Sequence, residues 1–151
     1  MNVVLKEDQF NINNVYYIEP IQNIIMDNSE FIKIIYSTPD ITLNGVYLLI
    51  ELKHTTREKY FKKIKISYDI NSSKIMLNKI YEIENMLLNK YYIKNKIQQK
   101  IIFNTLNSGV IKIFPNNDTD FTSNNNSFIL KISGIWENET EYGLTYKLLC
   151  I

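Results

Sequence analysis

Residues 73 to 94 read SKIMLNKIYEIENMLLNKYYIK and contain the longest helical pattern of the chain. Large apolar side chains recur there at intervals of four, three, four and four residues, so they share one stripe of an α-helix. The stripe comprises Met76, Ile80, Ile83, Leu87 and Tyr91. Ser72 or Ser73 is suited to cap the first turn, because a hydroxyl accepts hydrogen bonds from free backbone N–H groups. The pattern predicts one long amphipathic helix.

The segments on both sides of this helix have the composition of β-strands. Their β-branched and aromatic residues cluster in short runs that turn residues separate. The main runs are residues 31–36, 46–53 and 61–68 before the helix, and 100–103, 110–114, 127–136 and 142–151 after it. A helix between the third and fourth strands of an otherwise all-β chain is typical of the OB-fold, a partly open Greek-key barrel. We therefore expect a mainly β, OB-fold-like barrel of five to six strands, with one long helix between strands 3 and 4.

The chain length of 151 residues and its hydrophobic content of 45% indicate one domain with its own core. Residues 1–13 show little periodicity, so we expect a flexible arm there and a single OB-like domain over residues 14–151. The pair Asn44-Gly45 leaves two alternatives open. It is either the turn of a tight hairpin that pairs residues 41–43 with 46–48, or a bulge in one long bent strand.

The charge balance excludes a global attraction to polyanions. Seventeen basic residues stand against sixteen acidic ones, so any nucleic-acid site must be a local patch. The chain has one cysteine, its first residues lack the apolar core of a signal peptide, and no run approaches the roughly 18 apolar residues of a membrane span. These features predict an intracellular protein that is neither secreted nor partnered with a membrane.

The densest positive charge lies between Lys53 and Lys65 and includes Arg57, with Tyr60 and Phe61 interleaved. Alternation along a strand over residues 61–68 predicts a core face of Ile64, Ile66 and Tyr68, and an opposite face of Phe61, Lys63, Lys65 and Ser67. Lysines beside aromatic rings suit a single nucleic-acid strand, because its phosphates attract cations and its unpaired bases stack on rings. The alternative is a solvated basic loop whose rings cover a minor core.

Three further aromatic residues are candidates for the same surface. Tyr47 has the opposite phase to its apolar neighbours and is able to join the lysine face from an adjacent strand. Phe121 lies in a polar loop that borders the ligand groove if the fold is an OB-fold, although it equally suits a loop anchor. Trp136 ends a strand, either as a core-edge residue or as a stacking platform. The predicted nucleic-acid site comprises Tyr47, Lys53, Arg57, Tyr60, Phe61, Lys63, Lys65, Phe121 and Trp136.

The inventory of reactive side chains does not favour an enzyme. The only histidine, His54, and the only cysteine, Cys150, have no acidic partner at a telling spacing, and the four glycines form no phosphate-binding loop. Asp118 and Asp120 lack the glycine and glutamate of a calcium loop. We therefore predict no catalytic residues, no metal and no cofactor.

Three segments carry a resemblance to a known group of proteins. They are MDNSEFIKIIYS at residues 26–37, LNGVYL at 43–48 and SGIWENETEYGLTYKL at 133–148, about a quarter of the chain. These segments resemble parts of small proteins of nucleocytoplasmic large DNA viruses, the giant viruses, which include candidate OB-fold single-stranded-DNA-binding proteins. The resemblance implies a role in viral replication, repair or transcription, in the host cytoplasm (the viral factory) or nucleus, with viral replication or transcription proteins as partners.

Two hypotheses about function follow from these observations. The leading one is sequence-tolerant binding of single-stranded DNA, with RNA left open as the ligand. The other is a protein-interaction or virion-assembly module that uses exposed sheet edges to dock on a partner or to form a homo-oligomer. An accessory subunit of a viral transcription complex belongs to the second class.

Overall fold

The computed structural model describes residues 4–22, 28–113 and 126–150, which form eleven β-strands and two α-helices. Strands account for 46% of the structure, so the predicted class, mainly β with one long helix, is confirmed. The elements are β1 (Val15–Tyr17), β2 (Ile21–Gln22), β3 (Glu30–Ser37), β4 (Thr42–Leu43), β5 (Val46–Glu51), β6 (Thr56–Tyr60), β7 (Lys63–Ser67), α1 (Lys74–Lys90), β8 (Ile97–Gln99), α2 (Ile101–Leu106), β9 (Val110–Ile113), β10 (Ser127–Glu137) and β11 (Glu141–Cys150).

The larger of two sheets is organised around the long strand β10. One edge of β10 pairs with β11 along its length, whereas the other edge pairs first with β5 and then with β3. Strands β1, β2 and β4 add to β3, and β8 adds in parallel to β11. A register shift at Ser133 interrupts the β10–β11 ladder. Such a bulge increases local twist, which helps this eight-stranded sheet to curl into a half-barrel.

Gly45 bends the chain between β4 and β5. Leu43 pairs with Tyr36 of β3, whereas Val46 already pairs with Ile132 of β10, so residues 41–43 and 46–48 do not form a tight hairpin. Gly45 has a φ of +151°, and an added Cβ would lie 2.7 Å from the carbonyl oxygen of Ile132. Of the two alternatives for Asn44-Gly45, the structure therefore shows a bend in an extended strand.

The smaller sheet consists of β6, β7 and β9 in that order. Four isoleucines on its inner face are buried and belong to the same core cluster as the inner face of the half-barrel. They are Ile64, Ile66, Ile111 and Ile113. No strand was predicted over β6, because its sequence TREKY has no apolar alternation. It forms a strand because all five of its residues pair with β7.

Helix α1 confirms the main prediction from the sequence. It buries Leu77, Ile80, Ile83, Leu87 and Leu88 against the core. It follows the seventh strand rather than the third, because the short strands β1, β2, β4 and β6 precede it in addition to the three main predicted runs. Ser73 occupies the predicted N-cap position, but its side chain forms no capping hydrogen bond.

Helix α2 replaces a predicted strand over Lys100 to Phe103. The cause is Glu84 of α1, which is fully buried and accepts hydrogen bonds from the backbone N–H groups of Ile102 and Phe103 at 2.9 and 3.0 Å. A carboxylate at a helix N-terminus satisfies free N–H groups and interacts favourably with the helix dipole. The contact spans eighteen residues or more, so the β-branched composition of residues 100–103 does not decide their conformation.

The first described residues lie against the domain. Leu5 forms a parallel bridge to Leu48, with its N–H donating to the carbonyl oxygen of Tyr47 at 2.8 Å. The ring of Phe10 stacks on that of Tyr36 with centroids 5.9 Å apart. The segment that was predicted to be an arm therefore packs on the sheet from Leu5 onward.

Candidate nucleic-acid interface

The outward face of the small sheet carries alternating charged and aromatic side chains. In the strand register, Glu58, Lys65 and Lys112 form one row across the three strands, and Tyr60 lies opposite Lys63. The burial of β7 follows the predicted alternation, with Ile64 and Ile66 inside. Glu58 pairs with Lys65 at 3.5 Å, so this row keeps one excess positive charge.

The β6–β7 connection is a two-residue turn formed by Phe61 and Lys62. Phe61 was predicted on the lysine face of a strand, but β7 begins only at Lys63, because the turn uses both preceding residues. Phe61 has a φ of +55° and its side chain is 83% exposed. A bulky side chain in the left-handed region costs roughly 1–2 kcal/mol, and glycine or asparagine is the usual choice there.

Aromatic rings and lysines meet around this turn. The rings of Tyr60 and Phe61 pack edge to face with centroids 4.9 Å apart, and Lys112 Nζ lies 4.4 Å from the centroid of Tyr60. With Lys62 and Lys63 they line an open depression of about 580 Å³. We call these five residues the tip cluster: Tyr60, Phe61, Lys62, Lys63 and Lys112.

Sequence reasoning had not included Lys62 and Lys112 in the site. Lys112 alternates with the buried Ile111 and Ile113. This alternation predicts that the lysine points outward, but it does not predict which strand pairs with β9. Its contact with Tyr60 depends on the pairing of β9 with β7, across more than forty residues of sequence. Three lysines and no acidic residue give the tip cluster a positive charge.

Arg57, a predicted residue of the nucleic-acid site, does not lie on the outward lysine face. It pairs with Ile66, whose side chain is in the core, and its guanidinium carbon lies 5.5 Å from the ring centroid of Phe128. The side chain therefore stacks on an aromatic ring beneath the sheet. Burial raises the pKa of the nearby Cys150 thiol, and the positive charge of Arg57 opposes that shift.

Tyr47 belongs to the other sheet, so the prediction that it joins Lys63 and Lys65 is wrong. Strand β5 pairs with β10 and with the bridge at Leu5, not with β7. Phase alone predicted which face Tyr47 occupies, but it did not identify the sheet. The ring lies beneath Lys131, whose Nζ is 5.3 Å from its centroid.

The remaining predicted residues are dispersed. Trp136 pairs with Phe31 and Gly143 in the large sheet. Its indole packs against Gly143 so closely that a Cβ added to this glycine would lie 3.0 Å from the ring. Trp136 is therefore a half-buried packing residue. Lys53 is exposed after β5, and its backbone N–H donates to Ser73 Oγ at 2.9 Å. Phe121 lies outside the described residues. Of the nine predicted residues, the structure brings Tyr60, Phe61, Lys63 and Lys65 together.

The described residues include no group of three histidine, cysteine, aspartate or glutamate side chains that could hold a metal ion. Across residues 4–22, 28–113 and 126–150, no helix has both the length and the apolar character needed to cross a bilayer.

No protein-family model, curated protein or solved structure matches the chain.

Proposed function

We propose that the protein binds single-stranded nucleic acid, with single-stranded DNA as the leading ligand, through the tip cluster. The observation that carries the proposal is Phe61. Its backbone conformation disfavours a bulky residue, and its ring is too exposed to gain much from burial in the fold. Backbone strain that folding does not require is common at ligand-binding sites.

The chemistry of the tip cluster fits a flexible, unpaired strand. Bases of any identity stack on the rings of Phe61 and Tyr60, each stack contributing roughly 1–3 kcal/mol. Lys62, Lys63 and Lys112 neutralise phosphates around these rings. Because each neutralised phosphate releases counterions, three contacts predict a slope of log K against log salt of about −2.

The wider hypothesis extends this site to an OB-type groove and a viral role. A curled half-barrel sheet and one long helix agree in outline with an OB-like barrel, the class of fold that binds oligonucleotides. Participation in viral replication, repair or transcription rests on the resemblance of residues 26–37, 43–48 and 133–148 alone.

The proposal is tested by titrating a labelled dT oligomer with Phe61→Gly and with the wild-type protein. Loss of one stack predicts affinity that is about 5- to 150-fold weaker, while relief of the positive φ preserves or raises stability. Tyr92→Ser is the matched control, because Tyr92 is a 67% exposed aromatic residue beyond α1. Absence of wild-type binding at low salt, or equal affinity for Phe61→Gly, would contradict the proposal.

A second candidate function is protein interaction or virion assembly. Strands β1 and β2 lie along the outer edge of β3, and Tyr16, Ile18 and Ile21 are exposed there. Open sheet edges with apolar side chains favour strand pairing with another chain. If this edge mediates assembly, size-exclusion chromatography shows an oligomer without nucleic acid, and Ile21→Lys converts it to a monomer.

A further inference from the structure

A second row of lysines and an aromatic ring crosses the outward face of the large sheet. Tyr47 of β5, Lys131 of β10 and Lys147 of β11 are consecutive partners in the strand register. Their neighbours along the strands, such as Leu48 and Leu130, are fully buried, so alternation turns the row away from the core. Lys131 Nζ lies over the Tyr47 ring.

The electrostatics of this row favour an anion. Lys131 and Lys147 face each other directly, and like charges in that arrangement destabilise a sheet. Within the described part of the chain, neither lysine forms an ion pair with a carboxylate. The other opposed lysine pair, Lys65 and Lys112, differs because Glu58 pairs with Lys65. A phosphate between Lys131 and Lys147 would relieve the repulsion.

An apolar row borders the charged one. Leu49, Ile129 and Leu149 are the next outward-facing partners across the same three strands, and each is half-buried. Tyr47 therefore lies at one end of the charged row, next to Lys131, with the apolar row beside it. This arrangement suits a nucleobase, which stacks on a flat ring while its attached phosphate contacts the lysines.

We propose that Tyr47, Lys131 and Lys147 form a second contact site for single-stranded nucleic acid. This inference rests on the proposed function, because it assigns the same class of ligand to a different surface. The inner faces of the two sheets share one core, so the tip cluster and this row face outward from different sheets. A short oligonucleotide on one site leaves the other open, and each molecule binds two short strands.

The experiment measures the stoichiometry of a dT oligomer of about six nucleotides, within the site sizes of small single-strand binders. Native mass spectrometry should find two strands on the wild-type protein. It should find one on the double variant Lys131→Gln/Lys147→Gln and one on Tyr60→Ser/Phe61→Gly. When all four substitutions are combined, none should remain bound.

A second readout is bridging of two oligomers by one protein molecule. Energy transfer between donor- and acceptor-labelled oligomers should appear with the wild-type protein and not with any of the variants. Lys147→Glu controls for folding, because it replaces repulsion with an opposite-charge pair and should melt no lower than wild type. It should still lose the second strand.

The outcomes separate the two proposals. One strand on the wild-type protein, lost only in Tyr60→Ser/Phe61→Gly, overturns the second site and supports the tip cluster. One strand lost only in the lysine variants overturns the tip cluster and supports this row. No bound strand on the wild-type protein overturns both.

Discussion

The β6–β7 and β10–β11 hairpins make the same kind of connection in two ways. At the β10–β11 turn, Asn138 Oδ1 accepts hydrogen bonds from the backbone N–H groups of Thr140 and Glu141 at 2.9 and 2.8 Å. Lys96 braces this turn, since its Nζ donates to Glu137 Oε1 at 2.6 Å and to the carbonyl oxygen of Asn138 at 2.7 Å. The turn is held by local hydrogen bonds and by a long-range ion pair.

The β6–β7 turn places Phe61 at a positive φ and leaves its ring exposed. A turn that serves stability alone takes glycine or asparagine at such a position. The difference teaches that the two hairpins have different physical roles. The β10–β11 turn is stabilised by side-chain hydrogen bonds, whereas the β6–β7 turn keeps an unfavourable backbone conformation that exposes an aromatic ring. We therefore assign ligand binding to the β6–β7 turn.

The largest expected effect is at the buried Glu84, which, like the side chain of Asn138 in the β10–β11 turn, accepts hydrogen bonds from two backbone N–H groups. Glu84→Gln replaces one of two acceptors with a donor that faces a backbone N–H of α2, so we expect the unfolding free energy to fall by about 2 kcal/mol. Chemical denaturation measures this loss. A variant as stable as wild type would show that α2 does not depend on Glu84.

Glu84 also predicts a pH dependence. Burial raises the pKa of its carboxyl above the usual value, against the opposing backbone hydrogen bonds from Phe103 and Ile102. The folded state then binds more protons between the unfolded and folded pKa values, so the stability from Glu84 is full below the unfolded pKa and declines as pH rises through the folded one. The stability gap between wild type and Glu84→Gln should narrow over that range.

Removal of the turn hydrogen bonds at β10–β11 should have the next largest effect. Asn138→Ala deletes the acceptor for two backbone N–H groups, so we expect a loss of roughly 1–2 kcal/mol in unfolding free energy. Asn138→Asp retains the acceptor and should remain close to wild type. Equal losses in both variants would mean that the side-chain oxygen does not support the turn.

At the β6–β7 turn, stability should change in the opposite direction. Phe61→Gly relieves the left-handed conformation, and we expect the unfolding free energy to rise by about 1 kcal/mol. Glycine also makes the unfolded chain more flexible, which offsets part of this gain. Thermal unfolding with and without a dT oligomer checks this. If Phe61→Gly destabilises the protein, the ring is part of the fold and the comparison of the two hairpins fails.

The smallest expected effect concerns salt. Lys62→Gln should reduce the magnitude of the slope of log K against log salt by about 0.7, the contribution of one phosphate contact on a single strand. Lys94→Gln, at an exposed position beyond α1, should leave the slope unchanged. A slope that responds equally to both substitutions would indicate diffuse attraction rather than contacts at the tip cluster.

Local patterns predicted much of the fold and part of the candidate site. The spacing of Ile80, Ile83 and Leu87 predicted α1, and alternation predicted that Ile64 and Ile66 point inward while Lys63 and Lys65 point outward. These features follow from periodicity within one element, because a side chain's face depends on its own φ and ψ angles. Strand β6 escaped detection because its charged residues gain their conformation from β7.

The wrong predictions share a physical cause. Local sequence does not determine which distant segments form contacts with each other. The phase of Tyr47 predicted its face but left its neighbour undetermined, and that neighbour is Lys131 rather than Lys65. Residues 100–103 looked like a strand until Glu84 supplied acceptors for the N–H groups of α2.

The amino-acid sequence by itself therefore determined the dominance of strands, the long helix and the inward or outward side of strand residues such as Ile64 and Lys65. Only the tertiary structure decided which outward lysines and rings meet: Lys112 with Tyr60, and Lys131 with Tyr47 and Lys147. The reason is that periodicity is a property of one segment, whereas sheet register is settled by the packing of the whole core.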